Sequence, residues 1–585
     1  MRGDGAAREP AVIPPPGAAG GPTGIGPADE PDLTLGEAMM AAEASAAGEA
    51  AAAGEAAGGD PLGPDRRGHG LPGRLGTNVL VNYATVAVMA VAAFVTTPIL
   101  VHHLGAAGFG VWALAGSVVG YLELLELGVG AATTKLIAED ARRHTDVVIR
   151  TLNTNVLLLG GLGLVALAIG LAIAPFAADW FGVPPELQHA AFVAFVVMTV
   201  AIAVSIPFDA LGGALAAYER IDLLSISNMV RAVGAAVGGA IAAYLGGGVV
   251  AVTVVGAAFG VSVHYLRWRM LARLVHGLRL SPRLFERPRM RHTIGLSGWF
   301  LLRDVTQVVV TRLDLVVVGA ILGVRDVALY AVALKLAQIG LRAMQPFTAL
   351  FFPHASALSA VDDRAGLAAL LVDGTRVSLA AATPLTLILA LLARPALTSW
   401  VGPDFSDAVA ILVLLAVARG LTAVTETAWW LLGGAGFIRW TSSLSVVEAV
   451  VNLGSSVVLA TRFGPAGVAA GTLIGVVAAR LPVALTVAGR LTGVSTATIA
   501  RGAVLPHVLP SVVTAGALVA VGLVLPSTLP MVGAAAVGAC LLYGAVYLIG
   551  APPADRARLA AGWSRLRHRD RLAAVPSPGA GAGGS

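Results

Sequence analysis

Residues 295–330, GLSGWFLLRDVTQVVVTRLDLVVVGAILGVRDVALY, decide the fold of this chain. Their first part, residues 295–323, is long enough to span a bilayer, because about 20 helical residues cross its ~30 Å apolar core. This part nevertheless contains Arg303, Asp304, Arg312 and Asp314, and a charge at that depth costs about 3 kcal/mol. Arg303, Gln307 and Asp314 share one helical face. We interpret the segment as a membrane helix that lines a polar cleft; the alternative is a structural ion pair between helices.

The composition identifies the class of protein. Of 585 residues, 57% are hydrophobic and only 12% are charged, whereas soluble domains average about 25% charged residues. We therefore predict an all-α polytopic membrane protein. The single cysteine, Cys540, lies in an apolar run, which excludes a disulfide framework and a thiolate metal site. The only histidine pair, at residues 102–103, has side chains that point apart. We expect no metal ion and no cofactor.

Fourteen membrane spans are predicted from the apolar runs. They lie at residues 77–101, 109–132, 150–177, 189–213, 226–246, 248–268, 295–322, 327–352, 377–399, 407–432, 438–461, 465–489, 503–525 and 529–551. An amphipathic piece, residues 364–376, is expected on the membrane surface before the ninth span. Residues 1–75 are rich in Ala, Gly, Pro and Glu, which predicts a disordered cytoplasmic tail. No apolar core precedes residue 78, so we expect no cleavable signal peptide.

Basic residues concentrate in alternate loops, above all in residues 266–292 and in the tail after residue 555. The other set of loops holds only Arg325 and Arg462, with Arg394 close to a span end. Because loops rich in Lys and Arg stay on the cytoplasmic side, we predict a multi-pass protein of the plasma membrane with both termini cytoplasmic.

Weak internal repeats divide the chain into two halves. Leu104-Gly105 precedes Trp112-Ala113, and Leu322-Gly323 precedes Tyr330-Ala331 at an offset of 218 residues. Residues 218–220 and 437–439 repeat a second pattern, aromatic-x-Arg, at an offset of 219. Both matches predict parallel repeats about an axis along the membrane normal. The repeats and the basic loops predict six regions in order: a tail (1–75), an N-lobe of six spans (76–265), a basic cytoplasmic linker (266–292), a pseudo-symmetric C-lobe of six spans (293–490), two further helices (491–551) and a basic cytoplasmic tail (552–585).

Several motifs carry a family resemblance. PILVHHLGAAGFGVWA at residues 98–113, followed by Glu-Leu-Gly at 126–128, resembles the opening of the polysaccharide exporters of the multidrug/oligosaccharidyl-lipid/polysaccharide (MOP) superfamily. In the second half the likeness rests on Asp314, residues 322–323 and 330–333, and LFFP at 350–353 with Ser356. It extends over residues 77–490. The resemblance implies flipping or export of a lipid-linked sugar, such as a polyprenyl-diphosphate oligosaccharide, by alternating access between two six-helix lobes.

Four basic residues are candidate ligands of a diphosphate head group: Arg303, Lys335, Arg312 and Arg342. A diphosphate needs fixed positive charge, and guanidinium binds phosphate oxygens in bidentate geometry. The alternative for these residues is pairing with acids, among them Asp304 and Asp314. We place Arg303 and Lys335 first because they lie deepest in their spans.

Acidic residues in the spans are candidates for ion coupling or for internal pairing. Burial raises the pKa of an acid toward working pH, which lets it carry protons. A salt bridge to Arg303 or Lys335 across the cleft is the alternative. Arg419 and Arg480 are expected in the second lobe's polar lining beside Glu426. The acids, with Asp304 and Asp314 already named, are Glu123, Glu126, Asp209, Glu426 and Glu448.

Other functions stay open at this level. The chain could be a drug or small-solute antiporter of the same superfamily, or a flippase for a peptidoglycan lipid precursor. A membrane glycan polymerase would need a larger loop or soluble domain, and a scaffold would recruit partners through the tails. No phosphate-binding loop with Gly-Lys-Ser/Thr is present, and no catalytic residues are predicted. Expected partners are the bilayer, the polyprenyl-diphosphate-linked glycan and enzymes of glycan synthesis, with no nucleic acid and a monomeric state.

Overall fold

The computed structural model describes the backbone of residues 71–126, 128–141, 145–348, 351–524 and 528–550. Side chains are described in these ranges except at residues 71–83, 298–312, 339–347, 438–439 and 442. The predicted tails lie outside the described residues, except that residues 71–75 already belong to the first helix. The described chain falls within one compact unit, residues 59–585.

Helices that precede the linker form what we call the first lobe. The first helix breaks at Gly105, and a 3₁₀ turn follows it at Tyr121–Glu126. The helices are α1 (Leu71–Gly120), α2 (Val129–Asp140), α3 (Thr145–Trp180), α4 (Pro185–Ala217), α5 (Ile221–Tyr244) and α6 (Gly248–Leu274).

Helices after the linker form the second lobe and a C-terminal group of three helices. The second lobe comprises α7 (Arg287–Leu322), α8 (Val324–Thr348), α9 (Phe351–Ala360), α10 (Arg364–Leu391), α11 (Ala393–Val401), α12 (Ala408–Gly434), α13 (Ile438–Gly475) and α14 (Leu481–Thr492). Short π-helices at Val476–Arg480 and Ala500–Val504 precede α14 and a 3₁₀ turn at Leu505–His507. The remaining helices are α15 (Thr496–Ile499), α16 (Val508–Val524) and α17 (Leu529–Gly550).

Ten helical segments in the described part of the chain are long and apolar enough to cross a membrane. Two of them, Ala84–Glu126 and Ser443–Thr492, each contain two predicted spans separated by a glycine break. The predicted seventh span lies in α7 and most of the eighth in α8, two helices whose side chains are only partly described. Each of the fourteen predicted spans overlaps a described helix, and the all-α polytopic class is confirmed.

The amphipathic surface piece predicted at residues 364–376 is wrong. Those residues form the start of α10, which continues to Leu391 without a break. Leu367, Leu371 and Arg376 are buried inside the protein. The C-terminal part of the chain covers the end of this piece, where Arg376 donates to the Gly502 carbonyl at 3.1 Å and its own carbonyl accepts from His507 at 2.9 Å.

Backbone breaks recur along the chain in the way the internal repeat predicts. Gly105 has φ 68°, ψ 168° and Gly323 has φ 95°, ψ 176°, a conformation that only glycine adopts without strain. Three more positive-φ positions recur at offsets of 217 to 220 residues: Gly182 with Gly402, Glu219 with Gly436, and Gly246 with Gly464. Helices therefore start and stop in the same order in both lobes, which supports the duplication.

Contacts between the lobes are tight near the glycine breaks, which we call the Gly105 end of the bundle. A Cβ on Gly110 would lie 1.8 Å from the carbonyl oxygen of Val324, so the two backbones touch directly. The Phe94 and Trp400 rings stack at 5.1 Å, and the Trp400 indole donates to the Phe94 carbonyl at 2.8 Å. The opposite end carries residues 275–286, and we call it the linker end.

Candidate functional site

Lys335 on α8 lies at the contact between the two lobes. Its Nζ donates to Thr97 Oγ1 at 3.4 Å. It also lies 5.2 Å from the Phe109 ring centroid and 5.1 Å from that of Trp112, both on α1. A cation over aromatic faces is stabilised by about 0.5–2 kcal/mol. Twelve residues separate Lys335 from Gly323, about 18 Å of helix, so its positive charge lies near the middle of a ~30 Å apolar layer.

The three arginine candidates lie on the two helices that meet at Gly323. Arg303 and Arg312 belong to α7, and Arg342 belongs to α8 seven residues after Lys335. Two α8 residues at that spacing share a helical face. The side chains of all three, and that of Asp304, lie outside the described residues. Their assignment as diphosphate ligands stays a prediction.

Asp314 lies inside the second lobe. It is 5% exposed, and its Oδ2 accepts hydrogen bonds from the Tyr330 hydroxyl at 2.7 Å and from Thr472 at 3.0 Å. Its Oδ1 has no hydrogen-bond partner among the described residues. All three groups belong to helices of one lobe, so Asp314 joins α7 to α8 and α13; its place in a polar cleft stays a prediction.

A second charged cluster in the same lobe is built around Arg480. Its guanidinium contacts Glu426 at 2.9 Å and Glu448 at 3.7 Å, and its Nε donates to Thr425 at 2.9 Å. The Trp429 ring centroid lies 4.8 Å from its Cζ. One arginine thus holds two acids from two different helices, α12 and α13.

A π-helix positions Arg480. Arg480 is the last residue of Val476–Arg480, where α13 widens before α14 begins. Such single wide turns are rare and often occur at functional sites. The sequence contains no signal for this turn, so the prediction that Arg480 joins the second lobe's polar lining did not identify its partners.

The first lobe has a corresponding cluster around Arg267. Its Nη1 contacts Asp209 at 3.1 Å, its Nη2 donates to Asn228 at 2.8 Å, and its Nε donates to Ser227 at 3.3 Å. We had assigned Arg267 to the basic linker, yet it is 7% exposed. We had also suggested Arg303 or Lys335 as the partner of Asp209. Arg267 takes that role because it lies seven residues before the end of α6 and its guanidinium faces α4 and α5.

These two ion pairs occupy equivalent places in the duplication. Asp209 lies on the fourth predicted span and Arg267 on the sixth, while Glu426 lies on the tenth and Arg480 on the twelfth. The pairs differ in exposure: the Asp209 side chain is 38% exposed and that of Glu426 17%. The first-lobe pair is therefore open to its surroundings, and the second-lobe pair is enclosed.

Glu123 and Glu126 belong to the 3₁₀ turn at Tyr121–Glu126. Residues three apart eclipse each other in a 3₁₀ turn, so the two carboxylates share a face as predicted. Glu123 interacts electrostatically with Asp209, and Glu126 with Arg267. The two glutamates therefore extend the first-lobe cluster toward α1.

Polar contacts attach the linker to the start of α3, and we call them the linker latch. Asn153 accepts from the Ser281 amide at 2.7 Å and donates to the Arg279 carbonyl at 2.9 Å. The Glu286 amide donates to Thr154 at 3.0 Å, and Glu286 pairs with Arg150 at 2.8 Å. These contacts were not predicted from the sequence. The signal that could have indicated them is the polar run RTLNTN at residues 150–155, which lies inside a predicted span.

The latch continues around a cavity of about 500 Å³ at the linker end. Arg289 contacts Asp140 at 3.0 Å and donates to Thr151 at 2.6 Å. Burial raises the pKa of the Glu286 carboxyl, but hydrogen bonds from Arg150 and Arg289 outweigh the effect of burial, so this pKa lies below its ordinary value.

No group of three or more His, Cys, Asp or Glu within the described ranges could hold a metal ion.

Comparison with known proteins gives a family match and a shared fold. Residues 75–359 match the family described as "Polysaccharide biosynthesis protein". No curated protein sequence matches the chain. An inward-facing multidrug-resistance MATE transporter of the MOP superfamily is 16% identical, with 72% of this chain and 100% of that chain covered and a TM-score of 0.61.

Two further solved structures have the same fold. The lipid II flippase MurJ in an inward closed conformation is 13% identical, covers 85% of this chain and 99% of that chain, and has a TM-score of 0.60. A point mutant of the Vibrio cholerae MATE transporter VcmN is 13% identical, covers 72% of this chain and 96% of that chain, and has a TM-score of 0.51. The chain therefore shares the fold of these solved structures, as the predicted resemblance implies.

Proposed function

We propose that this chain, a multi-pass membrane transporter of the MOP superfamily, flips a lipid-linked oligosaccharide or polysaccharide precursor across the plasma membrane. The observation that carries the proposal is Lys335, a cation held between the two lobes of a chain whose residues 75–359 match a polysaccharide-biosynthesis family. Enzymes of glycan synthesis would supply the cargo, and we propose that the transporter acts as a monomer.

The chemistry of Lys335 suits an anionic head group. In the described conformation its ammonium contacts a hydroxyl and two aromatic faces. Phosphate oxygens can replace such contacts, because they bind an ammonium through charge-assisted hydrogen bonds. Arg303, Arg312 and Arg342 would complete the cationic set on α7 and α8, while the polyprenyl chain stays in lipid.

Alternating access follows from the contacts at the Gly105 end. The direct approach of Gly110 to Val324 and the stacking of Phe94 on Trp400 close that end. The basic linker end is proposed to be cytoplasmic, together with both termini. Cargo would then enter from the cytoplasmic side in this conformation, and separation of the Gly105 end would release it outside.

The acids divide into two proposed roles. Asp209, Glu426 and Glu448 each contact an arginine, which favours internal pairing. Asp314 accepts only from hydroxyls among the described residues. We propose Asp314 as the candidate for binding a proton or cation that drives transport, because ionisable residues inside membrane helices are costly and often functional. Glu123, Glu126 and Asp304 stay candidates for either role.

Flipping by purified protein in liposomes tests the proposal. The substrate is a fluorescent polyprenyl-diphosphate oligosaccharide, and the readout is its transfer between leaflets. A hydrogen bond to a charged group contributes about 1.5–3 kcal/mol, so Lys335→Gln should slow flipping about 10- to 150-fold at normal abundance. Lys335→Arg should keep part of the rate. Lys135→Gln, a change at an exposed lysine of α2, is the matched control.

Wild-type flipping by Lys335→Gln would contradict the role of this residue, and no flipping by the wild-type protein would contradict the function. The second candidate is a drug or small-solute antiporter, favoured by the fold shared with the MATE transporters. Efflux of a cationic dye from the same liposomes, in place of lipid flipping, would support it. A lipid II analogue tests the peptidoglycan-precursor alternative suggested by the MurJ neighbour.

A further inference from the structure

The linker has an inner face and an outer face. Leu278 and Leu284 are half-buried and pack against the first-lobe core. Leu280, which lies between these two leucines in the sequence, and Phe285, which follows the second, are each 38% exposed. Three arginines on the same short stretch are also exposed: Arg279, Arg283 and Arg287. The outer face thus alternates cationic and apolar side chains over nine residues.

The linker latch holds this face in place. The amides of Ser281 and Glu286 donate to Asn153 and Thr154, and the Arg279 carbonyl accepts from Asn153. Backbone groups on the inner side of the linker are therefore used by α3. The outer side chains project from an ordered segment, which lowers the entropy cost of binding a ligand.

The neighbouring helices indicate the depth of this outer face relative to the bilayer. The linker follows α6, a candidate span that ends at Leu274. It runs along residues 150–155 of α3, a candidate span that begins at Thr145. The 36 residues of α3 measure about 54 Å, which exceeds the ~30 Å apolar core, so the linker lies beside the ends of two membrane helices. That is the level of the lipid head groups.

We propose that residues 279–287 form a binding surface for anionic phospholipid head groups of the surrounding bilayer. Arg279, Arg283 and Arg287 contact lipid phosphates, and Leu280 and Phe285 insert among the upper acyl chains. Charge complementarity selects an anionic surface, and the exposed apolar side chains select a lipid over a soluble polyanion. The proposal does not depend on which cargo is flipped.

Photo-crosslinking of lipid in nanodiscs tests the proposal. The full-length protein is reconstituted in phosphatidylcholine that contains a small fraction of photoactivatable phosphatidylglycerol, and labelled peptides are identified by mass spectrometry. Wild-type protein should be labelled within residues 278–287. An arginine near an anionic surface contributes roughly fivefold to binding. The triple change of Arg279, Arg283 and Arg287 to Gln should therefore reduce labelling by more than tenfold.

Matched variants separate binding from folding and from general charge. The triple change to Lys keeps the charge and should retain most labelling. Changing three exposed arginines at the Gly105 end to Gln removes the same charge and should leave linker labelling unchanged; they are Arg325, Arg394 and Arg462. The double variant Leu280→Ser, Phe285→Ser keeps all three arginines and should still lower labelling.

Several results would overturn the proposal. Equal labelling by photoactivatable phosphatidylcholine would show that the head-group charge is irrelevant. Loss of labelling on addition of millimolar glycerol phosphate would show a site for free phosphate instead of a lipid. Binding of transfer RNA through these arginines without labelling by phosphatidylglycerol would show a soluble polyanion as the ligand.

Discussion

Replacement of Arg480 by methionine should destabilise the second lobe strongly. Arg480 is the shared cation of Glu426 and Glu448, and it also donates to Thr425. Methionine fills much of the same volume and can keep the contact with Trp429. The variant therefore removes the charge while it limits the cavity.

The magnitude follows from the exposure of the two acids. Glu426 and Glu448 side chains are 17% and 8% exposed, so water cannot replace the lost guanidinium. Breaking a buried ion pair from one side costs about 3–5 kcal/mol. The equivalent change in the first lobe, Arg267→Met, should cost at most about 2 kcal/mol, since Asp209 is 38% exposed and partly solvated.

Thermal stability in detergent measures this difference. One kcal/mol shifts Tm by about 2–4 °C in a unit of 150–250 residues. We expect a loss on the order of 10 °C for Arg480→Met and less than half of that for Arg267→Met. The triple variant Arg480→Met, Glu426→Gln, Glu448→Gln should recover most of the loss, because it leaves no buried charge uncompensated.

Two results would refute this reasoning. If Arg267→Met lowers Tm as much as Arg480→Met, exposure does not decide the cost. If the triple variant is as unstable as Arg480→Met alone, the loss comes from packing and not from unpaired carboxylates.

Other contacts make equally specific predictions. Gly110→Ala should force the lobes apart at the Gly105 end, seen as faster hydrogen exchange across that end of α1 and α8; unchanged exchange would contradict the tight approach. Since the pKa of Glu286 lies below its ordinary value of 4.5, its stabilisation of the linker latch holds above that value and is lost as pH falls below it. Hydrogen exchange in residues 281–286, corrected for intrinsic rates, should therefore become faster below pH 4.5. Glu286→Gln should abolish this pH dependence. His507→Leu removes the hydrogen bonds to the Tyr543 hydroxyl at 2.8 Å and to the Arg376 carbonyl at 2.9 Å and should lower stability by about 1–3 kcal/mol; an unchanged Tm would contradict this.

Much of the fold was predictable because hydropathy and glycine act locally. A helix in lipid must be apolar and about 20 residues long, so the spans follow from composition alone. The Leu-Gly pairs at residues 104–105 and 322–323 marked positive-φ breaks that the backbone then shows at both places. The prediction from the local pattern was wrong at residues 364–376. An amphipathic sequence has the same pattern in a helix that lies on lipid and in a helix that packs against other parts of the protein.

The candidate site was predictable by residue type but not by partner. Lys335 and Asp314 were identified because a charge inside an apolar run is costly. Their surroundings depend on helices distant in sequence: Thr97 for Lys335 and Thr472 for Asp314. Arg267 fell where the predicted sixth span and the basic linker overlap, and hydropathy does not show which way an arginine near a span end is directed.

The sequence by itself determined the membrane class, the order of the helices and their duplication, since these depend on hydropathy and on backbone conformation at single residues. Only the tertiary structure decided which charges meet. The pairs Asp209–Arg267 and Glu426–Arg480 join residues more than fifty positions apart in the sequence, and a π-turn that no local pattern predicts sets the direction of Arg480. Electrostatic energy depends on distances of a few ångströms between side chains, and those distances come from helix packing.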